Sequence, residues 1–519
     1  MPHNLNARVS WALALILLAV PAARRLWGQA GEWDKHMKAG EKAYSAGFNQ
    51  KHYWITSPTN SPASLANFAK AEQEYKAALD LTQSFPAGDR RTVKTLGGLA
   101  EVFLEQDRFA EAEETGNRAI DLLEKAVGPD DPDLGFTLAR LALIYDYASN
   151  VNEAAPLWDR SLAILRKAGA VTPLFVSTIE FNEMSFSMQN KGASLQVCNY
   201  LIDLLEATGA PEKDLLDPLG RLSINQTGAD KERTILRIIV IRQKVYGPEI
   251  VATLEGEVEL ARLYLEEGRY AAALAVLLQI QSAKSQRNSA TAIDNRDLAA
   301  AYAGTGKYSQ AEEMNKQIVA AADAGSAKTR DLNSWNLQDG LMALAKVYRQ
   351  EHKFDEALEA LKRADEIDEA RNNSKEGRAF DERLGGVPIG DWPIQIELAE
   401  TYREKGDAAA AGPIFANSVA KTEQPGWHIA PGDPRLAHLL DNYASLLRDQ
   451  GKYDQAEDLY KSALAIWAKN KYPDHPDVAG TLTNYAALLK KLNRAAEAEP
   501  LEARASAILA AAGAPAPVI

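Results

Sequence analysis

Four cations recur at one place along the last third of the chain. Arg349, Arg403, Arg448 and Lys490 each stand four residues after a small side chain, namely Ala345, Ala399, Ala444 and Ala486. A row of this kind can receive carboxylates from a partner, because charge-assisted bonds to guanidinium and ammonium groups are strong and directional. Equivalent places earlier hold Leu104, Asp146, Leu265 and Ala303, so the row is confined to the C-terminal region. A second reading stays open, in which each cation pairs with an acid one helical turn away on a wet surface. Trp54 sits in a stretch rich in Ser, Pro and Asn, where an aromatic on a loop is a common contact residue. Trp392 and Trp427 lie in or beside two long joints and read as plugs.

Catalytic chemistry finds little footing. The seven histidines are scattered, and none belongs to a His-Glu-x-x-His pair. The one cysteine, Cys198, cannot form a thiolate zinc site or an intramolecular disulfide. Its apolar helical surroundings read as those of a small buried hydrophobe. No phosphate-binding Gly-x-x-x-x-Gly-Lys-Ser/Thr loop and no Gly-x-Ser-x-Gly elbow is present. Carboxylate pairs such as Glu113-Glu114 and Glu266-Glu267 fall at exposed helix positions. No catalytic, cofactor or metal residue is expected, and the chain does not read as an enzyme. The formal charge of −13 argues against a primary nucleic-acid role, which needs clustered cations to neutralise phosphates.

These side chains sit on repeating elements. Asp441-Asn442-Tyr443-Ala444-Ser445-Leu446-Leu447 is echoed 42 residues later by Thr483-Asn484-Tyr485-Ala486-Ala487-Leu488-Leu489. Pro434 and Pro476, Ala456 and Ala498, and Ala463 and Ala505 keep the same offset, as do Leu99 and Leu141 near the other end. Spacings of three, four and seven place these residues on one helix face. Small side chains let two helices approach closely, and aromatics fill the holes between pairs. Gly at the turn supplies the positive φ that ends the first helix. Pro, which cannot continue a helix, marks each new start.

The pattern resembles the tetratricopeptide repeat. Its most complete copy reads Ala444, Leu447, Gly451, Tyr453, Ala456, Tyr460, Ala463. Others read Ala261, Tyr264, Gly268, Tyr270, Ala273, Leu277 and Ala345, Tyr348, Phe354, Ala357, Leu361, Ala364. The 42-residue spacing and the entries Val-Gly-Pro-Asp-Asp-Pro (127–132) and Tyr-Pro-Asp-His-Pro-Asp (472–477) resemble the kinesin-light-chain type of repeat, which is also widespread in bacterial proteins. The resemblance implies an all-α, right-handed superhelical solenoid of antiparallel helix pairs, with a concave face lined mainly by the first helix (A) of each pair. It also implies a role for Asn442 and Asn484, since asparagines at the matching position contact the backbone of a bound peptide. An amide both donates and accepts, so it can read a peptide bond. The competing reading has these amides bonding the neighbouring repeat.

Eleven units are expected to cover nearly all of 33–511, two of them weak, at about 177–208 and 213–246. An insert near 48–66 interrupts the first unit. The expected organisation is a signal peptide over 1–30, N-terminal units over 31–370, a joint at 371–391, C-terminal units over 392–511, and a disordered tail at 512–519. The apolar run Val9–Val20 is too short to span a bilayer and fits a signal-peptide core, with cleavage expected after Ala30. The alternative is an uncleaved membrane anchor that tethers the solenoid as an assembly subunit of an envelope transport or export machine, and a third reading is an enzyme or small-ligand receptor with its site in the groove. The expected product is a periplasmic or secreted scaffold that binds a protein or peptide, with no nucleic acid, and a membrane only if the N-terminal segment stays.

Overall fold

The structure, a computed structural model, describes residues 29–47, 61–86, 88–147, 150–169, 176, 179, 191–248, 251–285, 295–325, 330–372, 392–422, 433–469 and 474–513. The first 28 residues, most of the expected insert including Trp54, the joint over 373–391, Trp427 and the tail from 514 lie outside the described residues. Among the described residues there are helices and no strand. The chain divides into two compact units, 1–226 and 227–519.

Unit 1 runs through α1 (29–47), α2 (Pro62–Thr82), α3 (Arg90–Glu105), α4 (Phe109–Val127), α5 (Pro132–Tyr147), α6 (Val151–Ala168), α7 (Lys191–Ala207) and α8 (Leu216–Asn225). Helix α2 starts at Pro62, so the last positions of the expected insert are already helical. The Ser61 hydroxyl accepts from Ser64 N at 3.0 Å, and proline's fixed φ suits the first turn.

Unit 2 runs through α9 (Gly228–Tyr246), α10 (Val251–Glu266), α11 (Tyr270–Ser285), α12 (Asn295–Gly304), α13 (Tyr308–Gly325), α14 (Arg330–Gln350), α15 (Phe354–Asn372), α16 (Trp392–Lys405), α17 (Ala408–Thr422), α18 (Pro434–Asp449), α19 (Tyr453–Trp467), α20 (Pro476–Lys491) and α21 (Ala495–Ala512). Helices on the two sides of the expected joint at 371–391 pack together. Ala360 and Ala364 of α15 share a core with Ile394 and Leu398 of α16. Gln395 also donates to Asp365 at 3.1 Å across the same boundary.

The repeat register holds in both units. Small residues of the A helices (Ala100, Ala142, Ala261, Ala299, Ala345, Ala399, Ala444 and Ala486) are buried. The alanines expected on the second (B) helices, from Ala112 and Ala154 to Ala456 and Ala498, are fully buried too. Tyr460 and Phe415 fill the gaps completely. Each pair therefore buries its apolar face only against its neighbours, which is how a solenoid builds a core. In the weak units, Leu201, Leu204, Leu219, Ile235 and Ile238 are buried as the register requires. Cys198 is buried in α7.

The turns follow one rule. The residue ending helix A takes positive φ, whether glycine (Gly268, Gly306, Gly406, Gly451) or one of Asp107, His352 and Asn493. The residue after it is often a cation that reaches back to an acid on the preceding B helix. Arg108 meets Glu72, Arg269 meets Glu232 and Arg494 meets Glu457, each at 2.7 Å, and Lys353 meets Glu312 at 2.8 Å. The same cations lie over helix-A aromatics, Arg108 at 4.3 Å from the Phe103 ring and Arg269 at 4.2 Å from the Tyr264 ring. This ladder ties successive pairs together beyond their apolar contact. Helix starts repeat a rule as well: Asp89, Asp433 and His475 each accept a backbone N–H from two residues on.

Candidate functional site

The two units present different A-helix faces. In unit 1, α3 and α5 part above α4 to leave a cleft of about 540 Å³. Small residues make the space: Gly97 and Ala100 on α3, and Gly116 and Ala119 on α4. Gly98, beside them, faces the other way, and a methyl group there would lie 2.9 Å from the Tyr75 ring. A methyl on Gly97 would meet only Arg140, at 3.5 Å, so the cleft side of Gly97 is open. Phe136, Leu141, Ile144 and the buried Trp33 complete an apolar floor and wall. Trp33 donates its indole N–H to Thr95 Oγ1 at 2.9 Å, and Arg91 covers both Trp33 and Phe85, at 5.9 and 3.8 Å from the ring centroids.

The rim of the cleft is charged. Arg90 pairs with Asp131 and Asp133, Lys94 with Glu41, and Arg140 with Glu101 at 3.6 Å. Their side chains keep about half of their surface exposed, between 46% for Arg140 and 62% for Arg90. Exposed pairs of this kind contribute little and rearrange easily. The cleft therefore offers an apolar floor bordered by cations that can change partners.

Unit 2 carries the residues singled out in the sequence, and there the charges face one another. Arg349 on α14 is buried among three carboxylates of α16, Glu400 at 2.6 Å, Glu397 at 3.2 Å and Glu404 at 3.7 Å. Lys346 reaches Glu397 at 2.9 Å. Burial alone would raise the Glu400 carboxyl, but Arg349, His438 and Arg403 pull it below its usual range. Arg403 donates to Asn442 Oδ1 at 3.2 Å, and Asn442 donates to the His438 carbonyl of its own helix at 3.1 Å. Asn484 donates to the Asp441 carboxylate at 3.1 and 3.2 Å. Burial pushes Asp441 up to about 6, while Asn484, His438 and Arg403 act against it. Arg448 lies 3.0 Å from Asp449 and bonds the Tyr460 hydroxyl at 3.4 Å, and Lys490 bonds Glu502 at 2.5 Å.

The four cations thus do not form a bare basic surface. Arg349, Arg403 and Asn442 are links in a network joining α14, α16 and α18, and Asn484 extends it to α20 through Asp441. Sequence spacing singled out these residues by their place in the repeat. It could not show that the acids Glu397, Glu400 and Glu404 surround Arg349, or that Asp441 meets Asn484. The cleft of unit 1 escaped sequence reasoning. Its one signal was the glycine pair Gly97-Gly98 inside a helix, where glycine is otherwise unfavourable.

Among the described residues no group of three His, Cys, Asp or Glu is arranged to hold a metal ion. No described helix is long and apolar enough to cross a membrane.

A profile of the tetratricopeptide repeat matches residues 63–125, 92–167 and 435–511, and a second profile of that repeat matches 339–371. No curated protein matches the chain. Similar solved structures include BtubC (BKLC) from P. vanneervenii, at 19% identity, 51% of this chain, 94% of that chain and a TM-score of 0.31. A Podosopora anserina kinesin light chain of nearly identical TPR-like repeats shows 15% identity over 49% of this chain and 96% of that one, with a TM-score of 0.27. Human IFIT1, solved as a dimer with m7Gppp-AAAA, shows 15% identity over 80% of this chain and 90% of that one, with a TM-score of 0.32.

Proposed function

Because this chain is a tetratricopeptide repeat protein, a scaffold built to hold other proteins, we propose that it grips a partner segment through the cleft of unit 1. The observation that carries this reading is an apolar cavity whose charged rim is held by half-exposed ion pairs, in a chain whose other candidate face centres on the buried pairs of Arg349. A bulky apolar side chain entering between α3 and α5 would bury its surface at about 25 cal/mol per Å². Arg90, Lys94 and Arg140 would exchange their weak internal pairs for acids beside that side chain. The scaffold acts outside the cytoplasm, a reading supported by the apolar run Val9–Val20 and the small residues before Gly31. The alternative is a tethered assembly subunit that keeps its N-terminal segment.

Gly97→Phe tests the cleft. Its Cβ would meet only Arg140, so the new ring starts in the open side of α3. Affinity capture with the wild-type chain and with this variant, each of native helicity, should return a partner set that the variant loses. Equal recovery by both contradicts the cleft as the site. N-terminal sequencing of the mature protein checks export: a start near Gly31 is expected, and an intact Met1 favours the tethered form.

A further inference from the structure

We propose that the turn between α10 and α11 is a latch, which closes the A-helix side of unit 2 against the start of α20. The latch turn belongs to the first complete helix pair of the unit and α20 to the last. Stacking of neighbours does not by itself bring such distant pairs together. Yet Gly268 lies so close to Pro476 that a methyl group on it would sit 2.2 Å from the ring's Cδ and 2.6 Å from its Cγ. The same methyl would lie 3.1 Å from His475 Nε2. Only a residue without a side chain fits this contact.

Positive φ alone does not account for the glycine. Gly306, Gly406 and Gly451 end their A helices with φ of 74°, 89° and 78°, and a methyl on any of them would meet nothing within 4 Å. Gly268, at φ 71°, has the same backbone demand and a steric one in addition. The turn is held in place from behind. Arg269 bonds Glu232 at 2.7 Å and Glu267 at 3.1 Å and covers the Tyr264 ring.

The opposite jaw is equally fixed. His475 caps α20, its Nδ1 accepting from Asp477 N at 3.1 Å. Asp477 in turn meets His438 Nε2 of α18 at 2.9 Å. Beside the jaws lies a set of half-exposed charges. Tyr270, the first residue of α11, has its hydroxyl raised by burial and then by Asp477, with Lys346 of α14 acting against them. Burial alone would lower His438. Its bond to Asp477 and the charges of Asp477 and Glu400 outweigh both burial and Lys346, and hold it above its ordinary value. Of these influences, that of Asp477 on Tyr270 joins the first pair to the last, while His438 meets Asp477 within neighbouring pairs. Lifting the latch would part the turn from the start of α20, giving unit 2 a closed and an open state.

The test uses the full chain with Cys198→Ser and nitroxide labels on Ala275→Cys of α11 and Glu499→Cys of α21, followed by pulsed electron spin resonance. With Gly268 intact, one narrow distance distribution is expected. Gly268→Ala should shift it to longer distance and broaden it. Gly306→Ala, which carries the same backbone strain in open space, should leave it unchanged. Combining Gly268→Ala with Pro476→Ala, which removes the opposing ring atoms, should return it toward the native distance. A broad distribution with Gly268 intact, no shift in Gly268→Ala, an equal shift in Gly306→Ala, or no recovery in the double variant would each overturn the latch.

Discussion

Unit 1 and unit 2 are built from the same helix pair, yet one leaves a cleft and the other fills its face with charge. In unit 1 the position two before the small residue of α3 is Gly98, which makes way for Tyr75, and the position four after it is Leu104. In the later pairs of unit 2 the matching positions hold Asn442 and Asn484, and Arg349, Arg403 and Arg448. The positions that define the repeat are alike in both, and buried in both. The difference lies in residues the repeat leaves free, which decide whether the A-helix side receives a partner or pairs with itself.

The largest expected effect comes from removing the centre of the unit 2 network. Arg349→Met leaves Glu397, Glu400 and Glu404 without their shared cation, and breaking a buried pair from one side costs about 3–5 kcal/mol. Thermal unfolding should show unit 2 melting earlier while amide exchange in α3 to α5 is unchanged. Loss of protection in both units would mean the two faces are not independent.

Ala456→Leu comes next. Ala456 is fully buried beside Ala444, Tyr460 and Tyr485, and overpacking such a contact costs about 1–3 kcal/mol. Chemical denaturation should register the loss, and α19 to α21 should exchange faster. An unchanged profile would put the register in doubt.

Unit 1 offers a smaller effect with a pH signature. Asp146 is buried in α5, accepts the Trp158 indole N–H at 2.8 Å, and is pushed by burial up to about 7. A carboxyl raised in the folded state binds its proton more tightly there than in the unfolded chain. Its contribution is fully present below the unfolded value of about 4 and is lost as pH rises toward 7. Asp146→Asn should therefore stabilise unit 1 by about 1–2 kcal/mol at pH 8, change little at pH 4, and flatten the slope between. A parallel loss of stability at both pH values would contradict this.

The smallest effect should be Lys490→Ala. Its pair with Glu502 is half exposed, and such pairs contribute about 0–1 kcal/mol. A large loss in melting temperature would break the distinction drawn between Arg349 and the end of the row.

Sequence made the skeleton legible because its determinants are local. Alanines 3, 4 and 7 apart, prolines at helix starts and positive-φ turn residues act within one pair or between neighbours, and Ala261, Ala345 and Ala444 are buried where spacing put them. The division at 226 was not legible, and neither was the packing of α15 against α16, because both depend on contacts between elements. Arg349 was recognisable as part of a row, but its partners lie on α16, beyond the joint at 371–391. The meeting of Gly268 with Pro476 spans nearly the whole unit and leaves no periodic trace. Its only sign is a glycine that the turn rule already explains.

The account turns on which A-helix face meets the partner. Amide hydrogen exchange of the full chain, with and without its captured partner, tests this most directly. New protection should fall on α3 and α5 around Gly97 and Arg140, and α16 and α18 should be unchanged. Protection centred on Asn442 and Asn484, with none at the cleft, would contradict it.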